Sequence, residues 1–126
     1  MTENNQKMKC DCDSHPAIRS VNGTLHTLFP GFRHEDAAHW RSLLRCPACG
    51  QLWAVDEWEK HQVQLAVKVA DVQGWRASDE ALRKERLTQS RGENAVVKCL
   101  WSGCEKYQLN GSAYCVDHLY ATGAKV

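Results

Sequence analysis

Apolar positions along the chain follow two periods. Val63, Leu65, Val67 and Val69 alternate with Gln64, Ala66, Lys68 and Ala70, a period of two that predicts a strand. Ala37, Trp40 and Leu44 recur at helical spacing, with Leu43 widening the stripe, so residues 35–45 are expected to form a helix. Glu35 and Asp36 suit its N-terminal dipole, Arg41 and Arg45 suit its C-terminal half, and Pro47 stops it. A turn at Asn22-Gly23 precedes an expected short strand over 24–29, which Pro30-Gly31 breaks. A further strand is expected over 51–55, with residues 56–61 as the turn before the alternating segment. A helical reading of 57–72 competes there, because Trp58, His61, Leu65 and Val72 fall roughly on one face. Residues 78–91 predict a helix capped by Ser78, with Asp79 and Glu80 in its first turn and Gly92 at its end. Its stripe is only Ala81, Leu82 and Leu87, so most of it is expected to face water as a linker or a partner-binding surface.

Cysteine usage changes this picture. The 126 residues hold seven cysteines in close groups, and an odd number does not suit a disulfide framework. In a reducing compartment, grouped cysteines completed by a histidine point to metal. The sum then closes: Cys10, Cys12, Cys46 and Cys49 make one tetrahedral ligand set, and Cys99, Cys104, Cys115 and His118 make a second. Two structural zinc ions are expected. At the first site, His15 or His34 is the rival for one of the N-terminal cysteines.

Cys46-Pro-Ala-Cys49-Gly50 resembles the knuckle half of a zinc ribbon. In the C-terminal stretch, Cys99 and Cys104 are followed by Asn110-Gly111, a strong hairpin signal, and then by Cys115-Val-Asp-His118 at the start of a short helix. Helix geometry puts positions three apart on one face, so Cys115 and His118 converge. Knuckle, hairpin and helix in that order resemble a treble-clef finger. The fold class expected is α+β: a zinc-ribbon-like unit over 1–73, a connecting helix over 74–98 and a treble-clef-like unit over 99–126.

Charge argues against one class of partner. The formal net charge is +1, and residues 51–98 hold eight basic and eight acidic side chains. Zinc-bound cysteines are thiolates, so a four-cysteine site adds −2 and a three-cysteine, one-histidine site adds −1, which brings the holoprotein to about −2. That is not the basic field of a typical nucleic-acid binder, and a nucleic-acid-binding zinc protein, such as a transcription-associated factor, is the alternative rather than the main reading. The apolar runs are far short of the roughly 20 residues that span a bilayer, and the first twelve positions carry no apolar signal region, so a cytoplasmic location is expected.

Catalytic signals fail in turn. Both ligand sets are closed, whereas a catalytic zinc keeps a position open for water. His34-Glu35-Asp36 has its acid one position too early for the deaminase pattern, and Pro47 follows Cys46 instead of preceding it. His26, His39 and His61 are isolated. The chain is therefore read as a non-enzymatic protein-binding module. Half of its aromatic residues are tryptophan. Trp40, Trp53 and Trp101 are read as core, and Trp58 and Trp75 as interface, together with Asp56, Glu57, Arg83 and Arg86. In size and cysteine pattern the chain resembles bacterial immunity proteins, which implies a cognate toxin, such as a nuclease, as partner.

Overall fold

The computed structural model describes residues 10–58, 63–92 and 94–124. Helices and antiparallel sheets both occur, so the fold is α+β. The chain divides into two compact units, Met1–Asp79 and Glu80–Val126.

The first unit is built on a five-stranded antiparallel sheet. Its strands are β1 (Ile18–Val21), β2 (Arg33–Ala38), β3 (Arg41–Arg45), β4 (Leu52–Asp56) and β5 (Gln64–Val69), in the order β1-β5-β4-β3-β2. The last four form a meander, and β1 closes onto β5 with Ile18 opposite Val67. Expected strands over 51–55 and 63–69 appear with ends shifted by one residue. Every residue of β4 is buried, as a central strand covered on both faces requires. Leu43, Ala54 and Val67 stand opposite one another on one face; Leu44 and Trp53 do so on the other.

Two local expectations are overturned. Residues 35–45 form no helix: β2 and β3 meet in a hairpin, Ala38 opposite Arg41, turned by His39 and Trp40. Both turn residues are left-handed, with φ of 52° and 64°, the signature of a type I′ turn. The spacing of Ala37, Trp40 and Leu44 imitates a helix, but Leu43 and Leu44 are consecutive and both buried, which a sheet covered on two faces accommodates. The segment expected as a strand over 24–29 is instead one helical turn, α1 (Leu25–Leu28). The competing helix over 57–72 is absent where the chain is described; the expected turn over 56–61 runs into residues outside the description from 59 onward.

Helix α2 (Trp75–Arg91) begins three residues earlier than expected. Asp71 accepts from the Gly74 N–H at 2.6 Å, and the Gly74 carbonyl accepts from Ser78 N, so the chain turns into the helix before Ser78. Its first turn anchors in the sheet unit. Trp75 is buried and its Nε1 donates to Asp36 at 2.9 Å, while Arg41 Nη1 donates to Asp79 at 2.9 Å.

In the second unit, β6 (Asn94–Lys98) pairs with β7 (Tyr107–Leu109), and α3 (Val116–Ala121) follows. Leu87, Leu109 and Leu119 form its core, flanked by Tyr114, Val116 and Tyr120. Leu87 comes from α2, so this part of the helix is packed rather than free-standing. Lys84 ties α2 to α3 through Asp117 at 2.9 Å. The Asn110-Gly111 signal is a real turn, closed by Leu109 N to Tyr114 O, but the strand paired with β7 lies before it, not after.

Candidate metal centres

Each expected ligand set comes together. The ligand atoms of Cys10, Cys12, Cys46 and Cys49 all lie within 4.8 Å of one another, and so do those of Cys99, Cys104, Cys115 and His118. These two clusters can each hold a metal ion. His15 is engaged elsewhere, with Nε2 3.0 Å from Asp11, and His34 lies exposed on β2; neither belongs to the first cluster.

The first cluster sits where β3 turns into β4. Cys46 N donates to Gln51 O and Gly50 N to Cys46 O, a tight turn that leaves Cys46 and Cys49 facing the same point. Gly50 has φ of 80°, a conformation that other residues adopt only with strain. Ala48 N donates to the Cys46 sulfur at 3.4 Å. The opposite pair arrives just before β1, where Cys12 opens a short 3₁₀ turn. Cys12 and Cys46 are buried; Cys10 and Cys49 stand at the surface. Burial, helped by the neighbouring Cys49, Cys46 and Cys10 sulfurs, pushes the Cys12 thiol up to about 12, against the pull of the Trp53 N–H. Four sulfurs this close become thiolates together only with a cation among them.

The second cluster repeats the knuckle on a different scaffold. Trp101 N donates to the Cys99 sulfur at 3.4 Å, two residues on, as Ala48 does for Cys46. Gly103, with φ of 79°, turns the chain back so that Cys104 faces Cys99. Cys115 is the N-cap of α3 and His118 lies in its first turn. His118 Nδ1 is 3.5 Å from the Cys99 sulfur and 3.4 Å from that of Cys115, and the Cys104 and Cys115 sulfurs are 3.9 Å apart. A zinc tetrahedron with bonds of about 2.3 Å to sulfur and 2.05 Å to nitrogen has edges of roughly 3.8 Å between sulfurs and 3.6 Å from sulfur to nitrogen. The observed spacings match those edges, so the donor set fits zinc. Burial pushes the Cys99 thiol up, but the Cys115 and Trp101 N–H groups and His118 outweigh it and bring it down to about 6. Trp101 stacks flat on the His118 ring, centroids 4.4 Å apart and planes 2° from parallel.

The residues assigned to a partner surface fare differently. Glu57 and Trp58 are exposed, with Trp58 Nε1 donating to Asn22 Oδ1 at 3.1 Å. Asp56, Trp75 and Arg83 are buried, which corrects their reading as surface groups. Asp56 is turned inward to accept from Leu65 N and to meet Arg41, and Trp75 fills the start of α2. Arg86 is half-buried. Of the tryptophans read as core, only Trp53 is; Trp101 is partly exposed and Trp40 is 83 % exposed.

Trp40 is the residue that sequence reasoning missed. It stands at the tip of the β2–β3 hairpin, and its carbonyl accepts from Glu57 N. Trp40 precedes β3, Trp58 follows β4 and Val63 precedes β5. These three exposed apolar side chains therefore gather at one end of the sheet, and the Cys46–Cys49 knuckle lies at the other. Among the described residues no helix is long and apolar enough to cross a membrane. No protein-family model, no curated protein and no solved structure matches the chain.

Proposed function

We propose that this chain is a protein-binding module whose two zinc ions are structural, and that it binds through the sheet end formed by Trp40, Glu57, Trp58 and Val63. The observation that carries the reading is Trp40. A large apolar side chain is held out in water on two consecutive left-handed residues, neither of them glycine. Such backbone costs on the order of 1–3 kcal/mol per residue and is typically retained where the side chain must be presented. Exposed tryptophans with a neighbouring polar rim are the composition of an interface hot spot. Closed, four-ligand centres support a structural role for zinc and no catalytic one.

The narrower form of this reading is an inhibitor of the immunity type, seated by this end of the sheet on a cognate toxin. The test uses the zinc-loaded protein as bait, with Trp40→Ala and Trp58→Ala beside it. Both variants should keep their metal and fold, and each should lose about 2 kcal/mol of binding, roughly thirtyfold in affinity. Equal capture by wild type and both variants would place the interface elsewhere. Retention of DNA or RNA at physiological salt, with no protein captured, would replace this reading with the nucleic-acid one.

A further inference from the structure

We infer that Trp53 is a positioning residue of the N-terminal metal centre, holding the Cys12 sulfur through its indole N–H while Arg19 and Lys68 on its ring balance the centre's negative charge. This rests on the reading that the four sulfurs hold a metal ion.

Trp53 is the second residue of β4 and is 1 % exposed. A buried indole N–H requires an acceptor. The one it has is the Cys12 sulfur, 3.4 Å from Nε1. A thiol is a weak acceptor, but a metal-bound thiolate carries charge and accepts well. The contact therefore matters most in the loaded centre.

Four thiolates around a divalent ion leave a formal charge of −2 beside a packed apolar cluster of Phe29, Leu44, Val55 and Ala66. Charge so placed needs a counter-charge. Sheet register supplies it. Lys68 is the cross-strand neighbour of Trp53, and Arg19 on β1 stands opposite Ala66. The Arg19 guanidinium carbon is 5.1 Å from the Trp53 ring centroid and 5.5 Å from that of Phe29; Lys68 Nζ is 5.6 Å from the Trp53 ring. Arg19 Nε is buried with no hydrogen-bond partner among the described residues, so the ring faces are what receive this cation. The order thiolate, indole N–H, ring, cations runs through one side chain. The C-terminal centre uses its tryptophan otherwise, stacking Trp101 on a neutral ligand.

The experiment loads wild type, Trp53→Phe and Arg19→Met with cobalt(II), whose absorption distinguishes a four-sulfur centre from one with three sulfurs and a nitrogen. Trp53→Phe keeps an aromatic ring and removes the N–H. It should weaken metal binding at the four-sulfur centre about tenfold, the lower end of what supporting contacts to metal ligands give. It should also move that centre's sulfur-to-cobalt charge-transfer band to lower energy, because a sulfur freed of its donor is easier to oxidise. Bands of the C-terminal centre should stay in place. Arg19→Met leaves the N–H intact and should weaken the same centre severalfold. A residue that only packs would lower the melting temperature without shifting the band. Two metals bound by all three proteins, with unchanged affinity and band position, would overturn the role of Trp53 alone. A wild type that binds no metal would overturn it together with the zinc reading. If Trp53→Phe does not fold, unchanged affinity in Arg19→Met overturns the inference by itself.

Discussion

Replacing Arg41 with methionine should destabilise the sheet unit far more than a typical point substitution. Arg41 Nε lies 3.3 Å from Asp56 and its Nη1 2.9 Å from Asp79, and the two carboxylate side chains are 4 % and 1 % exposed. Methionine keeps much of the apolar stem but leaves both acids without this cation. Losing one partner of a buried ion pair costs about 3–5 kcal/mol, because a buried charge loses part of its compensation. Asp56 retains the Leu65 N–H at 2.9 Å, which offsets part of that cost. A loss of about 3 kcal/mol is therefore expected, roughly a 10 °C fall in melting temperature for a chain of this size. The assay is denaturant unfolding of zinc-loaded protein followed by Trp53 and Trp75 fluorescence. Asp79→Asn in the Arg41→Met background should recover part of the loss, since it removes one of the two buried carboxylates that this guanidinium faces. A loss below about 1 kcal/mol in Arg41→Met, or no coupling between the two sites, would refute the view that this pair organises the junction of sheet and helix.

Cys115→Ser should reduce metal content from two ions per chain to one and unfold the second unit. Zinc contributes on the order of 10 kcal/mol to folding in small finger peptides. Loss of amide-exchange protection at Leu109 and Leu119, with Trp53 still protected, is the expected pattern; full metal retention would contradict it. In acid, the Trp75 N–H, the Ala37 N–H and Arg76 hold the Asp36 carboxyl below its usual range. A depressed carboxylate contributes stability that is present above its unfolded pKa and lost as pH falls through the folded one. Asp36→Asn should therefore be less stable than wild type near neutrality, with the gap closing below about pH 4. A gap independent of pH would show that the charge of Asp36 is irrelevant to Trp75.

Cysteine spacing made both ligand sets legible, because the seven cysteines with His118 fall into two groups of four, and the structure leaves His15 and His34 outside them. Period-two alternation likewise marked β5, and α3 followed from the Cys115–His118 spacing. The hairpin of β2 and β3 was not legible. Its turn carries His39 and Trp40 where glycine or asparagine would announce a type I′ turn, and its inward residues imitate a helical stripe. Misreading that hairpin also hid Trp40, placed on the inner face of a helix that does not form. Trp75 and Arg83 were misplaced for a related reason. A charged, weakly striped helix looks solvated in sequence, yet Trp75 bonds Asp36, and Arg83 is buried one turn beyond Asp79.

Metal stoichiometry tests the central claim most directly. Native mass spectrometry of protein purified without added chelator, checked by elemental analysis, should show two zinc ions per chain. Both should be lost together with ordered structure when a strong chelator is added. One ion, or none in a chain that keeps its fold, would contradict the account.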